Sequence, residues 1–387
     1  MDEVLNQTHM SQRRSGGGGE GRPGGEAAGR TGSLALLHQL LDEAQAFGPA
    51  FDGAMSNHLP MALHAAWDLG ADAERLQRLL DGERCKLTVA VPAEGALAAD
   101  ARRAADRLQA GLGRGDDWLA HRGQPFAYPW LHAYFTALLA RMTPRAVLAA
   151  HLPELLASPH AFAFHGLIRV AHAAEGAHTA ELAAALATWT AWWELLPAGP
   201  HGGEPLTPAA WAETLRAQAP RWRSELPMIL FRMRSAAGTP LYAALAERLA
   251  PVASLAERRE QLLGVAREAY LHSRNFTVLH LITGLRALRV LLPALPPDTD
   301  PRPLIAALDR AAVAGWLAGR VQWQDEVPPS APSAWPALHR AALAQADEHV
   351  IKGVHACWQE DLRAPHPYWR RVAARMLEGG RELARRA

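Results

Sequence analysis

Four histidines of the chain, His58, His165, His280 and His349, lie within apolar stretches that are far apart in the sequence. Large apolar side chains flank each of them on the same helical turn, so burial should favour the neutral imidazole, which is the form that binds metal ions. Helical proteins build metal centres from side chains on facing helices. The four positions therefore indicate a joint metal site, whereas the alternative is that each histidine is an ordinary hydrogen-bonded core residue.

Because lysine is scarce in this chain, Lys352 is a further candidate for the same metal site. Lysine occurs only at positions 86 and 352, and arginine supplies the other fixed positive charges. His349 and Lys352 are three residues apart and share a helix face, where an ammonium group would repel a metal ion. Lys352 could stay neutral, with its pKa lowered by burial and by the cation. It could also add carbon dioxide to form a carbamate, whose oxygen would make a mixed N/O site suited to iron or manganese. The remaining alternative is an ion pair with a carboxylate at the helix surface.

These side chains need helices to position them, and helical periodicity runs through nearly the whole chain after residue 32. Apolar residues follow Ser33 at helical spacing, which predicts a helix that begins there. Thr-Pro pairs at 143, 207 and 239 are typical of helix starts, because threonine accepts from first-turn amides and proline needs no partner there. Further helices are predicted over 58–69, 72–81, 99–112, 128–141, 161–173, 179–196, 253–272, 276–293, 302–319, 336–360 and 368–386. The one strand candidate, residues 86–91, could equally be an extended loop.

The predicted architecture is all-α, with one large multi-helix domain over residues 33–387 and a central histidine-rich pocket. Residues 1–32 are Gly-rich and nearly devoid of large apolar side chains, so we predict a disordered tail there. Helix lengths do not repeat at a fixed period, which argues against a solenoid.

Composition excludes several classes of function. Forty basic and 39 acidic side chains give a net charge of +1, without the basic excess typical of nucleic-acid-binding proteins. Two cysteines rule out a disulfide scaffold and a Cys-rich zinc module. Because no apolar run reaches a membrane-spanning length and no secretory leader opens the chain, we predict a cytoplasmic protein without membrane contact. The nucleophile-elbow, Walker A, zincin and dinucleotide-binding motifs are absent, and nothing in the sequence specifies an oligomeric state.

At four segments the sequence resembles the questin oxidase-like family. The segments are N-H-L-P at 57–60, F-H-G-L-I-R at 164–169, F-T-V-L-H-L-I-T at 276–283 and D-E-H-V-I-K at 347–352. They occur in the family's order and extend across nearly the whole chain after the tail. Fungal members of this family open a ring of anthraquinone intermediates. That reaction has been described as Baeyer–Villiger-like with oxygen and NADPH, and also fits a non-haem metal-dependent ring cleavage.

The resemblance implies a set of site residues and cofactors. The metal ligands would be His58, His165, His280, His349 and Lys352. They would hold Fe(II), with O2 as co-substrate, a small aromatic compound as substrate and NADPH as a reductant that lacks a recognisable binding motif. Tryptophans near the motifs, including Trp67, Trp130 and Trp358, could supply aromatic walls or be ordinary core residues.

Two further residues, Arg169 and His172, are predicted to take part in catalysis. Arg169 could hold a phenolate oxygen by charge-assisted bonding, or form a buried ion pair with a carboxylate such as Glu175. His172 shares a helix face with His165 and ranks above His64 and His355 as an acid or base. The family pattern has a second histidine where this chain has Arg169, and extra histidines where it has Met61 and Ala62, so the chemistry at the substrate side differs from that of the fungal relatives.

Two other functions remain open from the sequence. One is a helical binding or scaffold protein whose histidines are structural and whose clefts hold a lipid or a partner helix. The other is a flavin- or NADPH-dependent monooxygenase without metal, against which the absent nucleotide-binding fingerprint argues. Scattered imidazoles, more than about 5 Å from any shared point, would favour the scaffold over a metal site with bonds of about 2 Å.

Overall fold

The computed structural model describes residues 26–52, 55–111, 118–200, 202–327 and 333–383. Seventeen α-helices form within these ranges. The two short strands there, β1 (Ala50–Phe51) and β2 (Met55–Ser56), pair in one antiparallel hairpin. The predicted all-α, single-domain fold is therefore confirmed. Residues 1–25 of the predicted tail lie outside the described residues.

The helices are labelled α1 to α17 in chain order. The first nine are α1 (Glu26–Ala44), α2 (Leu59–Asp68), α3 (Ala73–Arg84), α4 (Gly95–Gln109), α5 (Tyr128–Leu139), α6 (Pro144–Leu155), α7 (His165–Glu175), α8 (Thr179–Ala191) and α9 (Pro208–Gln218). The remaining eight are α10 (Ile229–Ala237), α11 (Pro240–Leu245), α12 (Leu255–Ser273), α13 (Phe276–Leu291), α14 (Pro301–Gly319), α15 (Trp335–Leu343), α16 (Glu348–Arg363) and α17 (Pro367–Leu383).

Helix starts at the Thr-Pro pairs form as predicted. The side chains of Thr143, Thr207 and Thr239 each accept a hydrogen bond from the backbone amide three residues later. Each is followed by proline at the first helical position, where a missing N–H costs nothing. Such caps contribute about 0.5–2 kcal/mol each.

Several predicted boundaries are wrong, each for a local reason. The first described helix begins at Glu26, so Ser33 lies inside it and does not start it. The helix predicted over 336–360 is two helices, α15 and α16, because Asp347 caps a new helix. Residues 86–91 form no strand, and Val89 makes only an isolated bridge with Phe47. Helix α10 was not predicted.

Four helices, α2, α7, α13 and α16, surround the histidines. Helices α2 and α13 each pack against both α7 and α16, so the four form a closed ring. His58 directly precedes the first residue of α2, His165 is the first residue of α7, and His349 is the second residue of α16. His280 is the fifth residue of α13. Since these rings contact one another, the N-terminal ends of the four helices meet at one place.

Close packing of α7 against α8 depends on Gly166. A Cβ atom at this position would lie 2.7 Å from Cγ of Trp189, which is fully buried. Glycine therefore lets the indole lie directly on the first turn of α7, and this contact holds the start of α7 in place beside His165.

One helical stretch of the described residues is long and apolar enough to span a membrane. It is Phe276–Ala294, which includes α13, and 72% of it is buried inside the protein. The stretch contains His280 and Arg286, both buried. It is therefore the central helix of the core.

Candidate metal centre

His165 is placed by an unusual backbone turn. Phe162, Ala163 and Phe164 have φ angles of 55°, 56° and 70°, three successive left-handed residues without a glycine. This conformation costs roughly 1–2 kcal/mol per residue, and such strain clusters at functional sites. It also makes the predicted helix start at 161 wrong, because left-handed residues cannot belong to α7.

The left-handed turn fixes the orientation of the His165 ring. The carbonyl oxygen of Phe162 accepts a hydrogen bond from Nδ1 of His165 at 2.6 Å. The rings of Phe162 and Phe164 are buried, and Phe164 packs against Gly284 and Gly315 on α13 and α14. Burial of two aromatic rings offsets the backbone strain.

Nδ1 of each of the four histidines lies against an oxygen acceptor. In His58 it bonds to Oε1 of Glu348 at 2.8 Å, and in His280 to the carbonyl oxygen of Phe276 at 2.9 Å. In His349 it bonds to Oδ1 of Asp347 at 3.0 Å. A carbonyl or carboxylate oxygen can only accept, so Nδ1 carries the proton and Nε2 keeps its lone pair. This arrangement is the usual one for metal-binding histidines, whose second nitrogen donates to an oxygen.

The four rings form a compact group, which we call the outer cluster (His58, His165, His280 and His349). Ring centroids are 4.4 Å apart for His58 and His349, 4.6 Å for His58 and His165, 4.9 Å for His165 and His280, and 5.4 Å for His280 and His349. Ligand nitrogens of His58, His165 and His349 all lie within 4.8 Å of one another. The structure thus brings together all four histidines that the sequence singled out, and the scattered arrangement of the scaffold alternative is not observed.

The contact between His58 and His165 tests whether a cation fits. Their Nε2 atoms are 2.7 Å apart. With both protons on Nδ1, two lone pairs face each other, which is repulsive unless a proton or a cation lies between them. Two nitrogen ligands at right angles on one ion, with bonds of about 2.0–2.1 Å, are separated by about 3 Å. The donor set therefore fits a metal ion.

Burial holds the imidazoles of His58, His165 and His280 in the neutral form. It lowers the pKa of His58 and His165 well below the ordinary value, and the pKa of His280 to about 3. The positive charge of Lys352 lowers all three further. Lys352 therefore lies close to the outer cluster.

Lys352 itself is buried, with 3% of its surface exposed, so the surface ion pair considered for it is not observed. Burial lowers the pKa of its amine to about 8, against the opposing effect of Glu348 and Asp347. The second lysine of the chain, Lys86, lies at the rim. It bonds to Glu83 at 2.8 Å and its charge reaches His58 and Glu348. Sequence reasoning did not connect Lys86 with the site.

Arg169 forms a buried ion pair, which is the alternative to its catalytic role, but with a different partner from the predicted one. Its Nε and Nη2 atoms donate to the two carboxylate oxygens of Glu181 at 2.6 and 2.9 Å. Gln45 donates to the same carboxylate. The predicted partner, Glu175, instead pairs with Arg286. A role for Arg169 with substrate stays a prediction.

His172 lies in a second group of histidines, which we call the inner cluster (His64, His172 and His355). Nδ1 of His64 and Nδ1 of His172 are 2.9 Å apart. Nε2 of His355 donates to Oδ2 of Asp68 at 2.9 Å. The sequence had ranked these histidines singly as acids or bases. The signal that would have grouped them is their spacing of six or seven residues from the histidines of the outer cluster.

Aromatic side chains beside the outer cluster are not the predicted tryptophans. Trp67 and Trp358 contact His64 and His355 of the inner cluster, and Trp130 stacks on Tyr134. Phe276 lies 4.8 and 4.6 Å from the ring centroids of His280 and His349. Trp192 stacks on Phe162 at 4.6 Å.

Comparison with known proteins supports the resemblance found in the motifs. A family model described as questin oxidase-like matches residues 55–240. The match includes the segments at 57–60 and 164–169, and the other two segments lie beyond it. Comparison with curated proteins found no match. The family implies an oxidase or oxygenase, and therefore an oxidoreductase. Residues 55–240 of the chain are thus similar to the questin oxidase-like family, and this match supports the resemblance seen in the motifs.

Proposed function

We propose that the chain is a non-haem iron-dependent oxygenase that oxidises an aromatic, anthraquinone-type compound. The observation that carries the proposal is the outer cluster: four imidazoles from four helices converge, and each has Nδ1 against an oxygen acceptor. Imidazole and oxygen ligands suit Fe(II). The ion would be held by Nε2 of the four histidines, with Lys352 as a further ligand.

The N-terminal ends of the four helices explain why a negatively charged ligand would strengthen the binding of a cation at the outer cluster. Each helix carries partial positive charge at its N-terminus, and four such ends meet at the outer cluster. A cation there needs negative charge nearby, which Asp347 and Glu348 supply through their bonds to His349 and His58. The amine of Lys352 would contribute further negative charge as a carbamate, formed when it adds carbon dioxide and releases one proton.

A groove that is separated from His165 by the stacked rings of Trp192 and Phe162 suits a flat apolar substrate. It has a volume of about 270 Å³ and is lined by residues that include Val89, Val91, Phe126, Tyr128 and Trp192. Val89, Val91 and Phe126 are 69%, 72% and 82% exposed and line the groove together, and a contiguous apolar patch of this kind marks interaction sites. The groove reaches the site through Trp192 and the Phe162 ring on which it stacks.

Bound ferrous iron would supply the electrons that let dioxygen react with an aromatic compound. The chain's own residues orient the imidazoles, keep their Nδ1 protons in place and shield the site from water. Whether the enzyme needs NADPH depends on how many of the two atoms of O2 enter the product. A dioxygenase places both oxygen atoms in the product and needs no reductant. A monooxygenase places one atom in the product and needs two electrons and two protons, with NADPH as donor, to release the other as water.

Measurement of the metal content of purified protein is the simplest test of the proposal. Protein expressed anaerobically with iron should contain iron, and His165→Ala and His280→Ala should each lose the iron of the outer cluster and the oxygen uptake seen with a hydroxyanthraquinone. His151→Ala is a matched control, since His151 is fully buried outside both clusters and its Nδ1 donates to the carbonyl four residues earlier, as that of His280 does. Wild-type protein without a transition metal would contradict the proposal.

A further inference from the structure

The inner cluster repeats the arrangement of the outer cluster along the same four helices. Residues 58 and 64 lie on or at the start of α2, 165 and 172 on α7, 280 and 286 on α13, and 349 and 355 on α16. Six or seven residues advance about 9–10 Å along a helix axis, so each pair spans two levels of the bundle. Seven residues make almost two full turns and six fall about 120° short, so it is the contacts between the rings of His64, His172 and His355 that group the second level. Three positions of the second level are histidines, and the fourth is Arg286.

The donor atoms of the inner cluster are as close as those of the outer cluster. Nδ1 of His64 and Nδ1 of His172 are 2.9 Å apart. A carboxylate oxygen of Glu175, one turn after His172 on α7, lies within 4.8 Å of ligand atoms of both rings. The nitrogen–nitrogen distance again equals what two ligands at right angles on one ion require.

His355 adds an observation that is independent of this pair. Its ring is fully buried, and its centroid lies 5.4 Å from that of His172 and 5.8 Å from that of His64. Asp68 accepts from its Nε2 at 2.9 Å and is itself held by Gln359 at 2.7 Å. Nδ1 of His355 has no hydrogen-bond partner in the described part of the chain. A carboxylate that holds one imidazole nitrogen while the other stays unpartnered is the pattern of a metal ligand.

Charges around the inner cluster permit a cation. Asp68 and Glu175 are negative, and Arg286 is paired with Oε2 of Glu175. That pair leaves the other oxygen of Glu175 available. Lys352 acts on His172 from the turn between the clusters.

From this geometry we infer a second metal site, specific for a first-row divalent transition-metal ion, held by His64, His172 and Glu175. His355, positioned by Asp68, would serve as an additional ligand. Two imidazoles and a carboxylate are a ligand set that Fe, Mn, Co and Zn ions accept. Without the ion, His64 and His172 would merely share one proton in a neutral hydrogen bond, which is the competing interpretation.

Anomalous diffraction tests the inference on the unaltered chain. Full-length protein would be stripped with a chelator, loaded with Co²⁺ and crystallised, and data would be collected at the cobalt edge. We expect a peak between His64 and His172, and a separate peak about 9–10 Å away at the outer cluster. A filled outer cluster with no peak in the inner cluster would overturn the second site. A peak in the inner cluster alone would support it and would count against the proposed iron centre instead.

Cobalt stoichiometry in solution provides a second test. Glu175→Gln should reduce bound Co²⁺ from two ions to one per chain, and His165→Gln should also leave one. Glu181→Gln is the matched control, because Glu181 is likewise paired with an arginine, Arg169, but lies outside both clusters. It should retain two. Folding of each variant would be checked by circular dichroism, and a Glu175→Gln protein that still binds two ions with wild-type affinity would refute the second site.

Discussion

The two histidine clusters use the same four helices but leave different nitrogen atoms available. In the outer cluster every Nδ1 is held by an oxygen atom, so every Nε2 keeps its lone pair, and those of His58 and His165 meet at 2.7 Å. In the inner cluster His64 and His172 meet through Nδ1, and His355 is held through Nε2. Arg286 takes the place that His280 has in the outer cluster. Packing of the four helices thus brings the rings together, whereas the acceptor bound to each ring decides which of its two nitrogens can bind a metal ion.

The largest expected effect is on metal binding at the outer cluster, and it distinguishes Lys352 from the second lysine of the chain. Lys352→Arg fixes a positive charge that can neither become neutral nor form a carbamate. We expect metal affinity of the outer cluster to fall more than about 100-fold, since it should exceed the effect of losing a supporting residue. Isothermal titration with Fe²⁺ or Co²⁺ under nitrogen would measure it.

Lys86→Arg is the control for that substitution. Lys86 lies at the rim in an ion pair with Glu83 that arginine can also make, so its variant should bind metal as the wild type does. Equal affinity of Lys352→Arg and wild type would show that Lys352 takes no part in metal binding.

A smaller effect is expected from the carboxylate that holds His58. Glu348→Gln removes the anionic acceptor of Nδ1 and should weaken metal binding at the outer cluster by about 10- to 100-fold, as is usual for such supporting residues. Asp68→Asn is the corresponding change at the inner cluster, where it affects His355. If each variant weakens only its own cluster in a competition titration, the two sites are independent. If either variant weakens both, the clusters are coupled.

The pH dependence of the free energy of unfolding can show the effect of burial alone, on a histidine that belongs to neither cluster. His151 lies outside both clusters, and burial lowers its pKa to about 4. A lowered pKa means that the unfolded chain binds the proton more readily, so its contribution to stability is complete above about pH 6.5 and is lost as the pH falls towards 4.

The variant His151→Phe should therefore show a weaker loss of stability on acidification. In metal-free protein the difference in slope should be about one proton, or about 1.4 kcal/mol per pH unit between pH 6 and 4.5. Urea unfolding at several pH values would measure it. Parallel curves for the variant and the wild type would mean that His151 is not held neutral by the fold.

The smallest effect concerns the backbone of α7, which carries one histidine of each cluster. Ala163→Gly, in the left-handed turn before His165, should leave stability unchanged or raise it by up to about 1 kcal/mol, because glycine adopts a positive φ without strain. Ala173→Gly, beside His172 within the helix, should lower stability by about 1 kcal/mol. Urea unfolding of the two variants would compare them, and equal destabilisation would show that the turn is not strained.

The sequence predicted well those features that depend on neighbours in the chain. Thr143, Thr207 and Thr239 cap helices because a threonine before proline acts on amides three residues away. His58, His165, His280 and His349 could be grouped because each has an apolar flank within a recognisable segment.

Features that depend on the fold could not be predicted in the same way. Phe162, Ala163 and Phe164 are favourable in helices, so nothing local indicates their left-handed turn, which only tertiary packing stabilises. Arg169 pairs with Glu181 across the α7–α8 hairpin, whereas the sequence offered the nearer Glu175. The inner cluster was missed because its members were judged separately, without the helix directions that bring them together.

Anomalous diffraction at the iron edge, on a crystal of protein expressed anaerobically with iron, tests the central claim most directly. We expect a peak within the outer cluster, about 2.0–2.2 Å from ligand nitrogens of His58, His165 and His349, which already lie within 4.8 Å of one another, with the ring of His280 turned towards it as the fourth ligand. Density for four imidazoles in the observed positions, with no anomalous peak between them, would contradict an iron centre in this protein.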